Sequence, residues 1–174
     1  MDKVDKLNVK IFADGADKVG MLEMYEKSYI KGLTTNPTLM RKAGIVDYRD
    51  FCKDILKTVD DKPLSFEVFS DSFDEMKRQA LEISSWGDNV YVKIPVTNTK
   101  GETCYSLVKA LVEHNVKVNV TAIMTLEQVK NVVDALDAEV PRYVSVFAGR
   151  IADTGVDPVP LMTEAVSILK FKSA

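Results

Sequence analysis

The sequence predicts an α/β protein whose parallel strands form a barrel with helices packed outside it. Short strand-like runs alternate six times with longer segments of helical period, a rhythm typical of a parallel sheet covered by helices. Several of these strands also carry polar residues on one face and aliphatic residues on the other near their carboxyl ends. A parallel barrel with a site at the carboxyl ends of its strands requires this arrangement.

The predicted strands and helices follow one another in chain order. The strands span residues 8–14, 30–36, 64–68, 89–95, 117–122 and 142–147. The helices lie near residues 18–27, 48–59, 73–84, 102–114, 126–136 and 160–170. Two helix starts resemble capping boxes, Ser72 with Glu75 and Thr125 with Gln128, in which the paired side chains satisfy unpaired backbone donors.

The alternation along the strands predicts which side chains face the interior. Asn119 and Thr121 point to one side of their strand, and the valines beside them point to the other. Lys93 faces inward if its neighbours Val92 and Ile94 face the helices. An open, doubly wound sheet is the competing architecture, but its usual glycine-rich turn after the first strand is missing, because residues 13–17 are Ala-Asp-Gly-Ala-Asp.

Length, composition and charge predict one globular domain that spans residues 1–174. The chain is 46% hydrophobic and 28% charged, and its formal net charge of -3 comes from scattered charges of both signs. The sequence has no run of basic residues that could follow a phosphate backbone, so nucleic acid is not expected as a partner. No apolar stretch approaches the roughly 20 residues that span a bilayer, and residues 1–6 lack the apolar core of a secretion signal, so we expect no membrane association and a cytoplasmic protein.

No metal site is expected from the sequence. Cys52 and Cys104 lie far apart, and the single His114 belongs to an apolar helical pattern, so no group resembles a zinc or haem ligand set. Buried, reduced thiols are the simplest interpretation of the two cysteines.

Lys93, Asp14 and Glu67 are the candidate catalytic residues. A lysine in an apolar strand is a candidate nucleophile because desolvation disfavours its charged form and frees the amine to attack a carbonyl. The alternative is a lysine whose stem packs while its ammonium group reaches water. Asp14 and Glu67 end two other strands, so a barrel would bring both carboxylates to Lys93, where they could exchange protons with a substrate or water. Asp14 could instead cap the following helix.

Neutral polar groups and one arginine complete the candidate site. The neutral groups suit the hydroxyls of a sugar and belong to Asn36, Asn119, Thr121 and Ser145. Arg150 offers a planar cation for a phosphate group, with a surface ion pair as the alternative role.

Four motifs resemble those of the transaldolases, particularly their small, short-chain branch, which is similar to fructose-6-phosphate aldolases. They are Thr-Thr-Asn-Pro-Thr at 34–38, Val-Lys-Ile-Pro at 92–95, Val-Asn-Val-Thr at 118–121 and Ser-Val-Phe-Ala-Gly-Arg-Ile-Ala-Asp at 145–153. The resemblance covers nearly the whole chain. It implies a (β/α)8 TIM barrel and cofactor-free chemistry of the non-oxidative pentose phosphate pathway. In that chemistry Lys93 forms a Schiff base with a phosphorylated sugar such as fructose 6-phosphate or sedoheptulose 7-phosphate.

The resemblance also implies a role for each candidate residue. Asp14 would exchange the proton of a sugar hydroxyl during carbon–carbon cleavage, while Glu67 would handle, and Thr121 position, a water during imine formation. The implied substrate-binding residues are Thr34, Asn36, Asn119, Ser145, Phe147 and Arg150. In the related fructose-6-phosphate aldolases, glutamine tends to replace the acid and tyrosine the aromatic, so Glu67 and Phe147 favour transfer over simple cleavage.

The chain contains about six of the eight βα units of such a barrel, so we expect a partial barrel. In the family, further phosphate-binding serine and arginine residues lie on the seventh strand. Exposed sheet edges would favour association, and a homo-oligomer is one expectation.

A fructose-6-phosphate aldolase or another class I aldolase is the first functional alternative. A catalytically incomplete remnant with a binding or assembly role is the second.

Overall fold

Parallel strands alternate with helices throughout the part of the chain that the structure describes. The structure, a computed structural model, describes residues 4, 7–136 and 139–172. The strands are β1 (Ile11–Asp14), β2 (Ile30–Thr34), β3 (Leu64–Glu67), β4 (Val90–Pro95), β5 (Val118–Ile123) and β6 (Arg142–Val146). The helices are α1 (Lys18–Tyr25), α2 (Pro37–Lys42), α3 (Tyr48–Leu56), α4 (Phe73–Ser84), α5 (Tyr105–Val112), α6 (Leu126–Ala135), α7 (Ala148–Asp153) and α8 (Val159–Lys172). Over these described ranges, no helix combines the length and apolar character needed to cross a membrane.

The six strands form one sheet in chain order that curls into a half-barrel. Every pairing is parallel and joins strands that are neighbours in sequence. The Phe12 ring on β1 lies edge-on to the Tyr143 ring on β6 with 5.2 Å between centroids, so the inner faces of the first and last strands approach each other. Gly32 makes room for this contact, because a Cβ atom there would lie 2.2 Å from the Phe12 ring. The predicted partial barrel is confirmed, and the doubly wound alternative, whose strand order reverses, does not form.

The aliphatic faces of the strands form the core beneath the helices. Val92 and Ile94 on β4 are fully buried there, as the alternation around Lys93 predicts. Cys52 and Cys104 lie in the same layer as buried free thiols, which confirms their simplest interpretation. The polar positions between these aliphatic residues consequently face the inside of the half-barrel.

Two short helices, α2 and α7, were not predicted, and each shortens the strand before it. Asn36 ends β2 early because its Oδ1 accepts a hydrogen bond from the Leu39 N–H at 3.0 Å and caps α2. Pro37 follows in the first turn, where its missing N–H costs nothing. Phe147 likewise occupies the N-cap of α7 and does not continue β6. Six-residue helices are too short for a clear helical period in the sequence.

One of the two predicted capping boxes forms. At α6, Thr125 Oγ1 accepts from the Gln128 N–H at 3.2 Å, and Gln128 Oε1 accepts from the Thr125 N–H at 3.1 Å. At α4 the prediction was wrong, because the Ser72 side chain makes no cap hydrogen bond. The carboxylate of Glu75 pairs with Arg78 at 2.6 Å and does not reach back to the start of the helix.

The two helix starts should therefore differ in their sensitivity to alanine. We expect Thr125→Ala to lower the free energy of unfolding by about 1 kcal/mol, because the α6 box loses an N-cap bond. Ser72→Ala removes a hydroxyl without a cap bond and should change stability by less than about 0.5 kcal/mol. Urea denaturation of both variants measures the difference. Equal losses in the free energy of unfolding would show that the capping box of α6 does not stabilise the protein more than the start of α4 does.

Candidate functional site

A cleft of about 730 Å³ opens at the carboxyl ends of the strands. Parallel strands present these ends at the same edge, so residues far apart in sequence meet there. Six of the predicted site residues line the cleft, namely Asp14, Asn36, Glu67, Lys93, Phe147 and Arg150. The sequence therefore predicted the position of the cleft and part of its lining.

Lys93 reaches the cleft from a buried stem on β4. Its side chain is 11% exposed, and its Nζ lies 3.5 Å from Glu67 Oε2. The same Nζ donates a hydrogen bond to the carbonyl oxygen of Thr35 at 3.3 Å. The ammonium group does not extend into bulk water, so the alternative of a solvated strand-end lysine does not form.

Two carboxyl groups with shifted acidity accompany this amine. Burial raises the pKa of Glu67 above its usual range, and the charge of Lys93 opposes the shift. Desolvation by the surrounding protein raises the pKa of Asp14 as well, against the lowering effects of Lys93 and the Gly15 N–H. Asp14 does not cap α1, because Asp17 accepts the capping hydrogen bond. Asp14 therefore remains a cleft residue.

Asn119 is held beside Lys93 by two serines. Asn119 is the β5 partner of Lys93 in the sheet register. Its Nδ2 donates to Ser65 Oγ at 3.2 Å, and its Oδ1 accepts from Ser145 Oγ at 2.6 Å. Both ends of the amide are thus fixed by hydrogen bonds. Ser65 is not among the predicted site residues, although its alternation with Glu67 indicates that it faces inward.

Thr121 and Thr34 are not among the residues that line the cleft. Thr121 is 3% exposed and precedes Ala122, whose φ of +61° lies in the left-handed region. At this point β5 has one more residue than its partner β6, which is a β-bulge. A β-bulge changes the direction of the neighbouring side chains. The Thr34 Oγ1 is buried and has no hydrogen-bond partner among the described residues, and Thr34 is in register with Asp14 and Ser65.

Arg150 and Phe147 stand at the open side of the cleft. The Arg150 side chain is 75% exposed, and its Nη1 lies 3.6 Å from Asp153 Oδ2. This is the surface ion pair considered from the sequence, but such exposed pairs contribute only about 0–1 kcal/mol. A phosphate group could therefore displace Asp153 at little cost. Phe147 is 38% exposed and adds an apolar wall beside the guanidinium group.

The arrangement can perform imine chemistry on a carbonyl compound. A buried amine can add to the carbonyl carbon, and carboxyl groups with raised pKa values can exchange the protons that this addition requires. The fixed amide of Asn119 and the neighbouring hydroxyls can orient a polyhydroxy substrate. In the described part of the chain, no group of three or more His, Cys, Asp or Glu side chains is arranged to hold a metal ion.

Comparison with known proteins agrees with this geometry. The family model described as transaldolase/fructose-6-phosphate aldolase matches residues 11–173. The chain is similar to a probable transaldolase of Dehalococcoides mccartyi, with 33% identity over 162 residues, which are 93% of this chain and 71% of that protein. A probable transaldolase of Streptococcus agalactiae is 34% identical over 163 residues, covering 94% and 71% of the two chains. For a probable transaldolase of Clostridium kluyveri, the identity is 33% over 165 residues, covering 95% and 72%.

The extent of these matches, the half-barrel and the amine-centred cleft agree with one another. The chain belongs to the transaldolase/fructose-6-phosphate aldolase family of transferases and aldolases.

Proposed function

We propose that this chain is a transaldolase that transfers a dihydroxyacetone unit from a ketose phosphate to an aldose phosphate. The donor would be sedoheptulose 7-phosphate or fructose 6-phosphate, bound to Lys93 as a Schiff base. The observation that supports this most directly is the buried Lys93 amine, 3.5 Å from the Glu67 carboxyl in a cleft that Asp14 also lines.

Imine formation is the first step of the proposed reaction. The Lys93 ammonium group first passes a proton to the Glu67 carboxylate, 3.5 Å away. The resulting amine adds to the ketone carbon, and loss of the resulting hydroxyl as water gives an iminium ion. Glu67 supplies the proton that this departing hydroxyl needs, and Thr121 positions the water. The iminium is a better electron sink than the ketone, which prepares the sugar for carbon–carbon cleavage.

Cleavage and transfer then use Asp14. Its carboxylate takes the proton of the hydroxyl on the carbon that will become the aldehyde, and the carbon–carbon electron pair moves into the iminium. The aldose phosphate leaves, and an enamine remains on Lys93 between Asn36 and Asn119, with Ser145 binding its hydroxyls. The enamine attacks an acceptor aldehyde, Asp14 returns its proton, and hydrolysis releases the new ketose.

Trapping with borohydride tests the proposal. The chain is incubated with fructose 6-phosphate and borohydride and analysed by peptide mass spectrometry, and parallel samples receive an aldose phosphate acceptor without reductant. An adduct on Lys93 together with a new ketose phosphate supports transfer. An adduct with release of free dihydroxyacetone, and no new ketose, indicates a fructose-6-phosphate aldolase. A folded sample that forms no adduct contradicts both activities and favours the incomplete remnant.

Arg150 is proposed to bind the phosphate group of the substrate. Arg150→Ala should raise KM for fructose 6-phosphate about 10-fold with little change in kcat, because a charge-assisted hydrogen bond contributes about 1.5 kcal/mol. Steady-state kinetics with unphosphorylated fructose should show no such change. Arg49→Ala, which removes the exposed guanidinium group that pairs with Glu82 outside the cleft, is the matched control. Equal losses with both sugars would exclude phosphate binding by Arg150.

The wider setting of the chain follows from this proposal. A cytoplasmic enzyme of the non-oxidative pentose phosphate pathway would meet these phosphorylated sugars and would need neither nucleic acid nor membrane as a partner. A homo-oligomer also remains a prediction, since β1 and β6 each pair on one side in the described residues.

A further inference from the structure

The hydroxyl of Tyr48 binds both the main-chain N–H and the main-chain carbonyl of Glu67. Tyr48 Oη donates to the Glu67 carbonyl oxygen at 2.9 Å and accepts from the Glu67 N–H at 2.9 Å. Tyr48 is the first residue of α3 and belongs to none of the strands that form the cleft. A helix residue therefore controls the main chain at the residue whose carboxyl group faces the Lys93 amine.

The hydroxyl occupies a place that a neighbouring strand would otherwise fill. The last hydrogen bond between β2 and β3 runs from the Thr35 N–H to the Ser65 carbonyl. Alternate residues of a strand direct their main-chain groups to the same side, so the groups of Glu67 also point toward β2. By that point β2 has ended, and Pro37 opens α2 without an N–H. Tyr48 satisfies the two groups that this divergence leaves without a strand partner.

The surrounding residues hold Tyr48 in this position. Its ring is edge-on to Phe69 and Phe66, with 4.3 and 6.4 Å between centroids, and is tilted against Trp86 at 6.1 Å. Asp47 caps α3 by accepting an N–H of the first turn, which fixes the start of the helix. Burial raises the pKa of the Tyr48 hydroxyl, so it stays protonated and remains a donor.

We propose that Tyr48 is a positioning residue, whose two hydrogen bonds to the Glu67 main chain place the Glu67 carboxyl group against the Lys93 amine. The inference rests on the proposed function, in which Glu67 handles the water of imine formation. A displacement of about 1 Å at a reacting group can cost about 100-fold in rate. Without the phenol, the end of β3 can move by such a distance while the fold persists.

Tyr48→Phe removes both hydrogen bonds and keeps the ring that packs between Phe69 and Trp86. We expect the rate of borohydride trapping at Lys93 to fall about 10- to 100-fold, with KM changed less than about 2-fold. Tyr25→Phe is the matched control, because it removes a surface hydroxyl that donates to Asp61 at 2.9 Å. The control should trap substrate at the wild-type rate.

A second readout is independent of catalysis. Because the charge of Lys93 lowers the pKa of Glu67, Lys93→Met should raise the Glu67 titration midpoint in carbon-13 NMR. The rise should be clear when Tyr48 is present. In the Tyr48→Phe background it should be at least about halved, because without the phenol the Glu67 carboxyl group lies farther from the Lys93 ammonium group and its pKa depends less on that charge. Thr125→Ala destabilises the start of α6 but leaves both Tyr48–Glu67 hydrogen bonds in place. It should therefore keep the full rise and so separates positioning from stability.

The outcomes distinguish this inference from the proposed function. A wild-type chain without any adduct contradicts the function, while the titration still decides whether Tyr48 places Glu67. An unchanged trapping rate, or an undiminished Lys93 effect on Glu67 in Tyr48→Phe, overturns the positioning role. A reduced Lys93 effect in both Tyr48→Phe and Thr125→Ala also overturns it, because general loosening of the fold then explains the loss.

Discussion

Lys93→Met is expected to eliminate the borohydride adduct and to lower kcat/KM for sugar transfer by at least about 10⁴-fold. Methionine retains most of the apolar stem that packs in β4 but has no amine to attack the ketone. The loss should therefore reflect missing chemistry and not a collapsed strand. Trapping, steady-state kinetics and urea denaturation on the same preparation measure these effects together.

Two further variants make the Lys93 experiment specific. Lys93→Arg keeps a positive charge beside Glu67 but cannot form the imine, so it should be as inactive as Lys93→Met. Lys109→Met makes the same substitution on the exposed face of α5 and should retain wild-type activity. Residual transfer above about 1% in a folded Lys93→Met chain would place the covalent step elsewhere.

Asp14→Asn is expected to lower kcat by about 10²- to 10⁴-fold while the Lys93 adduct still forms. Asparagine has a similar shape but cannot take the proton of the sugar hydroxyl, so the reaction should stop after imine formation. Glu67→Gln should instead slow the appearance of the adduct. Single-turnover trapping with fructose 6-phosphate separates the two steps, and loss of the adduct in Asp14→Asn would contradict the assignment.

The same Asp14 variant should change the pH dependence of cleavage. Desolvation raises the pKa of Asp14 above its ordinary value of 3.8, and the proposed step needs the ionised carboxylate. Activity should therefore fall as the pH decreases through this raised pKa. The residual activity of Asp14→Asn should lack that acidic limb. An identical limb in both proteins would assign it to another group, such as Glu67.

The sequence by itself determined the parallel half-barrel and the inward direction of the site residues that lie within its strands. Strand alternation is a local property, so Val92 and Ile94 reveal the direction of Lys93 without any knowledge of distant contacts. Parallel strands also share one carboxyl edge, which explains why Asp14, Glu67 and Lys93 could be assigned to the same cleft before the structure. The motifs that carry these residues indicated the family as well.

Only the tertiary structure decided which partners hold these residues. A polar side chain near a helix start has several local partners in reach, and small differences in free energy select one of them. Asp17 therefore caps α1 in place of Asp14. Glu75 pairs with Arg78, and the capping box with Ser72 does not form. The contact between Tyr48 and Glu67 joins a helix to a strand 19 residues away, and it exists because β2 turns aside into α2. Such contacts depend on how whole elements pack, and no local pattern in the sequence encodes them.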